Sequence, residues 1–598
     1  MRHSFHIPVM GTAFTIDTPL KVAHYGIDSV IALADDILME RMRKMYCEKY
    51  NLAYEEIKES TLDYRAKRIT AYLNLMQDLV NKNFHELCSN IGVNNKEFQL
   101  LPESKRLKTT FCHIKEGHGI EVARKWLKDQ IQTGSIDVNI MTKVDKVNYY
   151  QKEKLPQEYN DAHAALRGFA NSQLASSVVF SAGMNPRLYD YITHFEDFYP
   201  DKDGFIKKKI IIKVSDFRSA MIQGKFLAKK GIWVSEYRIE SGLNCGGHAF
   251  ATEGLLMGPI LAEFRDRREE LIASTFEVFS QALEQQEKTP PSTPPPLIVS
   301  AQGGVGTAEE HDFLLGHYQL DSIGWGTPFL LVPEATTVDE HTLTQLVAAK
   351  EEDLYLSNIS PLGVPFNNLK GNTQDEEKDI YINKNRPGSA CPKKCLALNT
   401  EFSDKGMCTA SRQYQHLKLA SLEKEGLSKS QLENEIKKVV EKACLCVGLG
   451  NAALIKHQIN RKKENTGVSI CPGPNLAYFS NIMSLTDISN HIYGFSNMIS
   501  RTDRPHMFVK ELSLYMDFLS DKIKEAQSSM SKKQEKYLIK FSQNLDEGIR
   551  YYKKVFEDSK NKWSTLASSS LDQLNHSEKK LSEWAEHIQQ MMSPKVTT

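Results

Sequence analysis

The sequence predicts an α/β fold, a (β/α)₈ (TIM) barrel with a helical insertion and a mostly helical C-terminal extension. Eight short apolar runs alternate with helical segments over about the first 340 residues. The runs are mostly continuous, which is typical of parallel strands buried on both faces. Glycine clusters follow the last two runs, where barrels of this class commonly bind phosphate. An open doubly wound sheet also fits the alternation, and the glycine positions favour the barrel.

The predicted strands are short and apolar, and the helices between them begin and end at recognisable residues. The strands are predicted at residues 7–10, 29–33, 136–141, 177–180, 208–214, 232–234, 297–301 and 322–324. Helices are predicted at residues 18–25, 186–195, 215–230 and 259–286. The proline-rich run at 289–296 can be neither helix nor central strand. It is interpreted as a stiff loop into the seventh strand, with a domain linker as the competing interpretation.

The chain has 598 residues, so two or three domains are expected. The predicted barrel occupies residues 1–340, with a charged helical insertion at about 36–134. A loop-rich region with clustered cysteines follows at 341–500, and a helical tail at 501–598. Apolar residues in the tail share one helical stripe, namely Leu538, Phe541, Leu545, Tyr552 and Val555. This stripe favours packing on the body of the protein, and a dimerising helical pair is the alternative.

Composition narrows the class of function. Lys plus Arg and Asp plus Glu both number 75, a balance that argues against a protein built to hold nucleic acid. No apolar run reaches the length needed to span a bilayer, and the N-terminus lacks the apolar stretch of a secretory signal. We therefore expect a soluble cytoplasmic protein that acts on a small molecule, without a nucleic-acid or membrane partner.

The sequence around Gly246, Gly247 and His248 is the first candidate site. Two adjacent glycines let a backbone approach a flat or charged ligand, and an imidazole beside them can move protons near neutral pH. A structural histidine on a loop is the alternative. Two further glycine clusters follow downstream, at 303–306 and 324–326. Cys245 is interpreted as a packing residue, because a reactive thiolate needs a nearby cation or helix N-terminus.

Six of the ten cysteines fall between residues 391 and 471. In a cytoplasmic chain such clustering suggests a metal or redox site before disulfides. The candidate ligands of an Fe–S cluster are Cys391, Cys408, Cys444, Cys446 and Cys471, with Cys395 in the same set. The spacing matches no standard zinc or cluster signature. Zinc and unliganded cysteines therefore stay open.

Five stretches resemble one known family when taken in order. They are Ile-Pro-Val-Met-Gly at 7–11, Val-Asn-Ile-Met at 138–141, Gly-Leu-Asn-Cys-Gly-Gly-His at 242–248, and the loops Ala-Gln-Gly-Gly-Val at 301–305 and Gly-Thr-Pro-Phe at 326–329. Residues 5–335, less the insertion, resemble the nitronate monooxygenases and the related flavin-dependent enoyl-thioester reductases. That family is an FMN-binding (β/α)₈ barrel.

The resemblance implies a set of flavin contacts and His248 as acid/base. The implied contacts are Val9, Met10, Gly11, Asn139, Gly246, Gly247, Gln302, Gly303, Gly304, Gly326 and Thr327. Lys213, at the end of the fifth predicted strand, could reach the flavin or a substrate anion, and a solvated lysine is the alternative. Asn244, Cys245 and Pro328 depart from the family pattern. Pro328 replaces an arginine, so phosphate would depend on backbone donors.

The implied function is an FMN-dependent oxidoreductase that oxidises a small nitronate-like or carbon-acid substrate. One alternative is an enoyl-thioester reductase that takes electrons from NAD(P)H. Another is a barrel that serves as a component of a multienzyme synthesis system, with the helical tail docking to a partner.

Overall fold

A computed structural model describes residues 1–92, 96–181, 183–245, 253–460, 464–526, 531–559 and 564–592. Eight parallel strands close into a barrel in which each strand pairs with its neighbours in chain order and β8 pairs with β1. The predicted (β/α)₈ barrel is therefore confirmed. The strands are β1 Phe5–Ile7, β2 Asp28–Ala32, β3 Ile136–Met141, β4 Ser177–Ser181, β5 Lys209–Val214, β6 Val234–Glu240, β7 Ile298–Gln302 and β8 Ser322–Gly324.

Twenty helices accompany the strands in the part of the chain that the structure describes. They are α1 Thr18–Val22, α2 Asp36–Lys49, α3 Tyr64–Asn90, α4 Ser104–His118, α5 Ile120–Gln130, α6 Asp161–Ala170, α7 Pro186–Ile192, α8 Phe217–Ala228, α9 Met257–Asp266, α10 Arg268–Gln285, α11 Ala308–Tyr318, α12 Glu340–Ala348, α13 Thr373–Asn383, α14 Arg412–Leu422, α15 Lys429–Val440, α16 Leu445–Lys456, α17 Leu485–Ile492, α18 Met507–Ala526, α19 Lys532–Asp558 and α20 Ser564–Met592. Two antiparallel hairpins lie outside the barrel, at Tyr149–Tyr150 with Glu153–Lys154 and at Leu354–Ser357 with Phe366–Leu369.

Two strands differ from their predicted bounds. β1 ends at Ile7 rather than continuing through Met10, because Pro8 has no amide hydrogen to donate to the sheet. β6 begins at Val234 and runs to Glu240, where the sequence predicted only a short apolar run at 232–234. The charged residues of β6 alternate with buried apolar ones, so the strand continues with its charges facing one side.

The barrel interior is apolar on one side and polar on the other. Val9, Val30, Ala32, Val179 and Ile211 form a small buried cluster between β1 and β5. The neighbouring strand residues belong to the larger core that packs under the helices. Because side chains alternate along each strand, the polar residues of β5–β8 complete the same interior layers.

Helices α2–α5 lie between β2 and β3, where the sequence predicted a helical insertion. α4 and α5 pack on each other around Leu107, Phe111 and Leu127. The helix predicted at 259–286 is two helices, α9 and α10, which meet at Arg267 with φ −116°. The proline-rich run at 289–296 contains no helix or strand and leads into β7, as the loop interpretation predicts.

The C-terminal helices pack against the barrel. The predicted stripe of α19 is buried, and the hydroxyl of Tyr552 accepts a hydrogen bond from the amide of Gly258 at 3.1 Å. The ring of Phe508 in α18 stacks on Tyr552 with centroids 4.5 Å apart. Packing on the body of the protein is therefore confirmed for these helices, while docking through 501–598 stays a prediction. None of the described helices is both long and apolar enough to cross a membrane.

Candidate active site at the barrel mouth

Four polar side chains form the last interior layer at the C-terminal ends of the barrel strands, which we call the barrel mouth. They are Asn139 on β3, Lys213 on β5, Glu240 on β6 and Gln302 on β7. One carboxylate oxygen of Glu240 accepts hydrogen bonds from Lys213 Nζ at 2.8 Å and from Gln302 Nε2 at 2.6 Å. Asn244 Nδ2 donates to the same oxygen at 2.7 Å. Glu240 therefore fixes the positions of the donors at the mouth.

A second polar layer lies one step deeper. Arg238 Nε donates to Glu236 Oε1 at 2.8 Å, and the hydroxyl of Ser300 donates to the same oxygen. His6 Nδ1 lies 2.9 Å from Ser322 Oγ. Burial, with the charges of Arg238 and Lys213, lowers the pKa of His6 well below its usual value, so the imidazole is neutral. This layer supports the mouth with a paired charge and an uncharged histidine.

A cavity of about 320 Å³ opens at the mouth on the side of β5 and β6. Lys213, Glu240 and Asn244 line it from the barrel, and Lys143 from the loop after β3. Its size falls at the lower end of the range that small-molecule sites occupy. With Asp216, Glu253 and Glu511 also in its lining, the cavity places two lysines and four carboxyl groups around a space that can admit a ligand.

The C-terminal helix α18 closes this cavity with Glu511 and Tyr515. Glu511 Oε2 accepts hydrogen bonds from the Tyr552 hydroxyl at 2.7 Å and the Met257 amide at 3.0 Å. Burial raises the pKa of Glu511 to about 7, although these hydrogen bonds lower it in part. Glu511 is therefore a carboxyl group that can gain or lose a proton near neutral pH.

Replacing Glu511 with glutamine is expected to flatten the pH dependence of stability. The glutamic acid contributes its full stability below the unfolded pKa of 4.5, and this contribution is lost as the pH rises through about 7. The shift corresponds to about 3 kcal/mol. Glu511→Gln should therefore be more stable than the wild type at pH 8 and similar to it near pH 4, as measured by urea unfolding. Glu253→Gln, an exposed carboxyl at the same mouth, should change neither value.

The loops after β7 and β8 bring their glycines against the loop after β6. Gly303 and Gly304 have φ of +108° and +90°. A Cβ on Gly303 would lie 3.0 Å from the backbone nitrogen of Asn244, and a Cβ on Gly304 would lie 2.6 Å from the side chain of Leu243. Only glycine allows this approach without strain. The three loops thus form one surface at the mouth, where phosphate binding was predicted.

Residues 471–475 cover the Thr327 side of this surface. The Thr327 hydroxyl donates a hydrogen bond to the Pro472 carbonyl at 2.7 Å. The Cys245 thiol donates to the Cys471 carbonyl at 3.2 Å, and burial raises the pKa of Cys245 well above its usual value. Cys245 is therefore a buried packing thiol, in line with its interpretation from sequence. The Thr327 hydroxyl already has a protein acceptor, which leaves the backbone amides as the donors for a phosphate.

A buried ion pair fastens the β7 loop to the C-terminal region. The two terminal nitrogens of Arg504 lie 2.8 Å from the two carboxylate oxygens of Glu310. Arg504 also donates to the Gly304 carbonyl at 2.8 Å and to Asn475 Oδ1 at 3.0 Å. Burial alone would raise the pKa of Glu310, and the Arg504 charge outweighs it, so that pKa lies below its usual value. The glycine loop is thus held by a paired, hydrogen-bonded charge.

The remaining predicted contacts are placed as follows. Val9, Met10 and Gly11 follow β1, and the sulfur of Met10 would lie 3.7 Å from a Cβ on Gly326. Asn139 is buried, and its Oδ1 has no hydrogen-bond partner among the described residues. Gly246, Gly247 and His248 lie outside the described residues. Those predicted flavin contacts that the structure describes thus lie at one end of the barrel, and the role of His248 stays a prediction.

The predicted cysteine set divides into three groups by its contacts. The thiols of Cys391 and Cys408 hydrogen-bond to each other, and the thiol of Cys446 hydrogen-bonds to those of Cys395 and Cys444. Cys471 lies instead beside Cys245. Among the described residues, no group of three or more His, Cys, Asp or Glu side chains is arranged to hold a metal ion. The predicted metal site at Cys391, Cys408, Cys444, Cys446 and Cys471 is therefore not supported.

Sequence reasoning missed Glu240, Lys143 and Glu511 as residues of the mouth. A signal for Glu240 was present, because Glu236, Arg238 and Glu240 alternate with apolar residues at the period of a strand. No local pattern distinguishes Glu511, which reaches the mouth only because α18 packs on the barrel.

Comparisons with known proteins find little. No family model matches the sequence, and no curated protein matches it. Among solved structures, the enoyl reductase domain of MlnA from the macrolactin biosynthesis cluster of Bacillus amyloliquefaciens is similar to this chain at 15% sequence identity and a TM-score of 0.32. The alignment covers 70% of this chain and 89% of that domain. A likeness this weak assigns no activity to the chain.

Proposed function

We propose that the protein is an FMN-dependent oxidoreductase whose active site is the barrel mouth. One observation carries the proposal: a glycine-built surface at the ends of β6, β7 and β8 lies at the same mouth as the buried, unpartnered amide oxygen of Asn139 and the cavity lined by Lys213. A phosphate needs amide donors that can be approached closely, and the glycines supply such donors. A flat, hydrogen-bonding ring needs a polar partner at the barrel mouth, and Asn139 can be that partner.

The residues fit FMN if backbone amides bind its phosphate, because the β8 loop has no cation for this role. The amides of Gly303, Gly304 and Gly326 would hold the phosphate, and Asn139 would pair with an N–H of the ring through its free Oδ1. Lys213 would place positive charge beside the ring, as its hydrogen bond to Glu240 fixes its direction. When bound, FMN supplies the two-electron redox chemistry.

The chain's own contribution is to position the ligand and to move a proton. Glu511 lines the cavity and has a pKa near 7, so it can hold a proton for the substrate or accept one from it. His248, the acid/base that the resemblance implies, would act on the same substrate. Tyr515 lines the same cavity from α18.

Two classes of substrate follow from the direction in which the proton moves. Oxidation of a nitronate or another carbon acid uses a base at the mouth, the role predicted for His248. Reduction of a conjugated thioester by NAD(P)H uses a proton donor at the mouth, a role that Glu511 could fill because burial raises its pKa to about 7. FMN-loaded protein mixed with NADH or NADPH without oxygen distinguishes them. Loss of the flavin absorbance supports the reductase, whereas nitronate turnover without nicotinamide supports the oxidase. Absence of both reactions would contradict the proposal.

Replacing Asn139 with alanine is expected to weaken FMN binding by about tenfold, because the buried amide oxygen that would accept a hydrogen bond from the ring is lost. The affinity can be measured by the quenching of flavin fluorescence on titration. Asn171→Ala, an exposed asparagine at the end of α6, serves as the control and should bind FMN like the wild type. Equal affinity for FMN in Asn139→Ala and the wild type would remove Asn139 from the site.

A further inference from the structure

A second cavity lies in the cysteine-bearing region, and it shares no lining residue with the barrel mouth. Its volume is about 750 Å³, and both Cys391 and Cys408 line it. Backbone bridges between Ser389 and Ser411 and between Asn399 and Met407 fold this segment back on itself. The fold therefore brings two cysteines that are distant in sequence to the wall of one cavity.

The two thiols are in direct contact. The Cys391 and Cys408 side chains form a hydrogen bond with each other, and both residues are buried against Ala397 and Ala410. Both are reduced in this structure. Thiols in contact can close to a disulfide with little movement of the backbone, and the apolar wall behind them keeps them together. The pair is therefore placed for a two-electron exchange.

The charge around this thiol pair is positive. Lys146, Lys394, Lys405 and Arg412 line the cavity, and no Asp or Glu is among its described lining residues. Within the part of the chain that the structure describes, only Lys146 of these four forms an ion pair, with Asp161 at 3.5 Å. The buried Nε of Arg412 has no hydrogen-bond partner among the described residues. These unpaired cations are suited to an anionic ligand.

We propose that this cavity is a thiol–disulfide exchange site for a small disulfide that carries carboxylates. In the first step the Cys391 thiolate attacks one sulfur of the bound disulfide, forms a mixed disulfide and releases the first thiol of the ligand. Cys408 then attacks the Cys391 sulfur, which forms the Cys391–Cys408 disulfide and breaks the bond to the ligand sulfur; the Cys408 proton passes to that sulfur, which leaves as the second thiol. The ligand disulfide is reduced by two electrons, and the cysteine pair is oxidised by two.

The test uses full-length protein in a Cys112→Ser, Cys395→Ser background, because these two of the ten cysteines are partly exposed and the other eight are buried. The anionic probe is 5,5′-dithiobis(2-nitrobenzoate), and the neutral probe is 4,4′-dithiodipyridine. We expect a fast phase that releases about two equivalents of coloured thiol per chain with the anionic probe. Peptide mapping after this phase should show a Cys391–Cys408 disulfide. Mapping that finds these two cysteines unpaired would overturn the proposal.

Two variants separate the roles of the pair and of the charges. Cys408→Ser should release about one equivalent in the fast phase and keep the probe on Cys391. Arg412→Gln with Lys394→Gln should slow the fast phase with the anionic probe by at least about tenfold and leave the neutral probe within about twofold. Equal slowing with both probes would overturn the anionic ligand. Iron or zinc bound to these cysteines in the purified protein would overturn the exchange site altogether.

Discussion

Replacing Arg504 with methionine is expected to lower the free energy of unfolding by about 3 to 5 kcal/mol. The side chain of Glu310 is 2% exposed, so its carboxylate would be left buried without its counter-charge. The amides of Gly306 and Met507 also donate to this carboxylate, at 2.8 and 2.7 Å. If the carboxylate moved toward solvent, these two hydrogen bonds would be lost as well. Urea unfolding followed by tryptophan fluorescence measures the change.

Arg501→Met is the matched control for this variant. Arg501 lies three residues earlier, its side chain is 36% exposed, and its partners Asp503 and Glu351 are exposed as well. Exposed ion pairs contribute about 0 to 1 kcal/mol, so the control should unfold close to the wild type. Restoring charge balance with Glu310→Gln in the Arg504→Met chain should recover part of the loss. A loss as small as that of Arg501→Met would show that the pair does not hold the glycine loop.

Replacing Gly303 with alanine is expected to weaken FMN binding by at least about a hundredfold. The φ of +108° lies in a region that alanine rarely adopts, and the added Cβ would lie 3.0 Å from the backbone nitrogen of Asn244. The β6 and β7 loops would have to move apart, and the amide donors of the phosphate surface would move with them. Flavin fluorescence quenching on titration measures the affinity.

Gly316→Ala controls for the substitution itself. Gly316 lies in α11, directly after the same loop, and an added Cβ there meets no atom within 4 Å. Alanine also favours helix over glycine, so this variant should fold and bind FMN at least as well as the wild type. Unchanged FMN affinity in Gly303→Ala would place the phosphate elsewhere.

The barrel could be predicted from sequence because most of its strands are continuous apolar runs between helices. β6 was predicted too short, since Glu236, Arg238 and Glu240 interrupt the apolar pattern. These charges are tolerated because Glu236 pairs with Arg238 inside the barrel and Glu240 pairs with Lys213. Whether inward charges will find partners depends on strands that are distant in the sequence.

Residues of the mouth could be named from sequence where they lie in a glycine cluster or in a stretch that resembles the flavin-binding family. The structure adds why Gly303 and Gly304 are glycine, since both have positive φ and close contacts. Glu511 and Arg504 were not found, because each looks like an ordinary charged residue near the start of a polar helical tail. Their roles arise from the packing of α18 and the chain before it on the barrel. Cys471 was grouped with the other cysteines by sequence distance, whereas the chain carries it to the barrel mouth.

The central claim is that the glycine surface of the barrel mouth holds the phosphate of FMN. Titration of the purified protein with FMN and with riboflavin, which lacks the phosphate, tests it most directly. The account predicts saturable quenching of FMN fluorescence at one site per chain and an affinity for riboflavin that is lower by at least about a hundredfold. Equal affinity for the two compounds, or no binding of FMN, would contradict it.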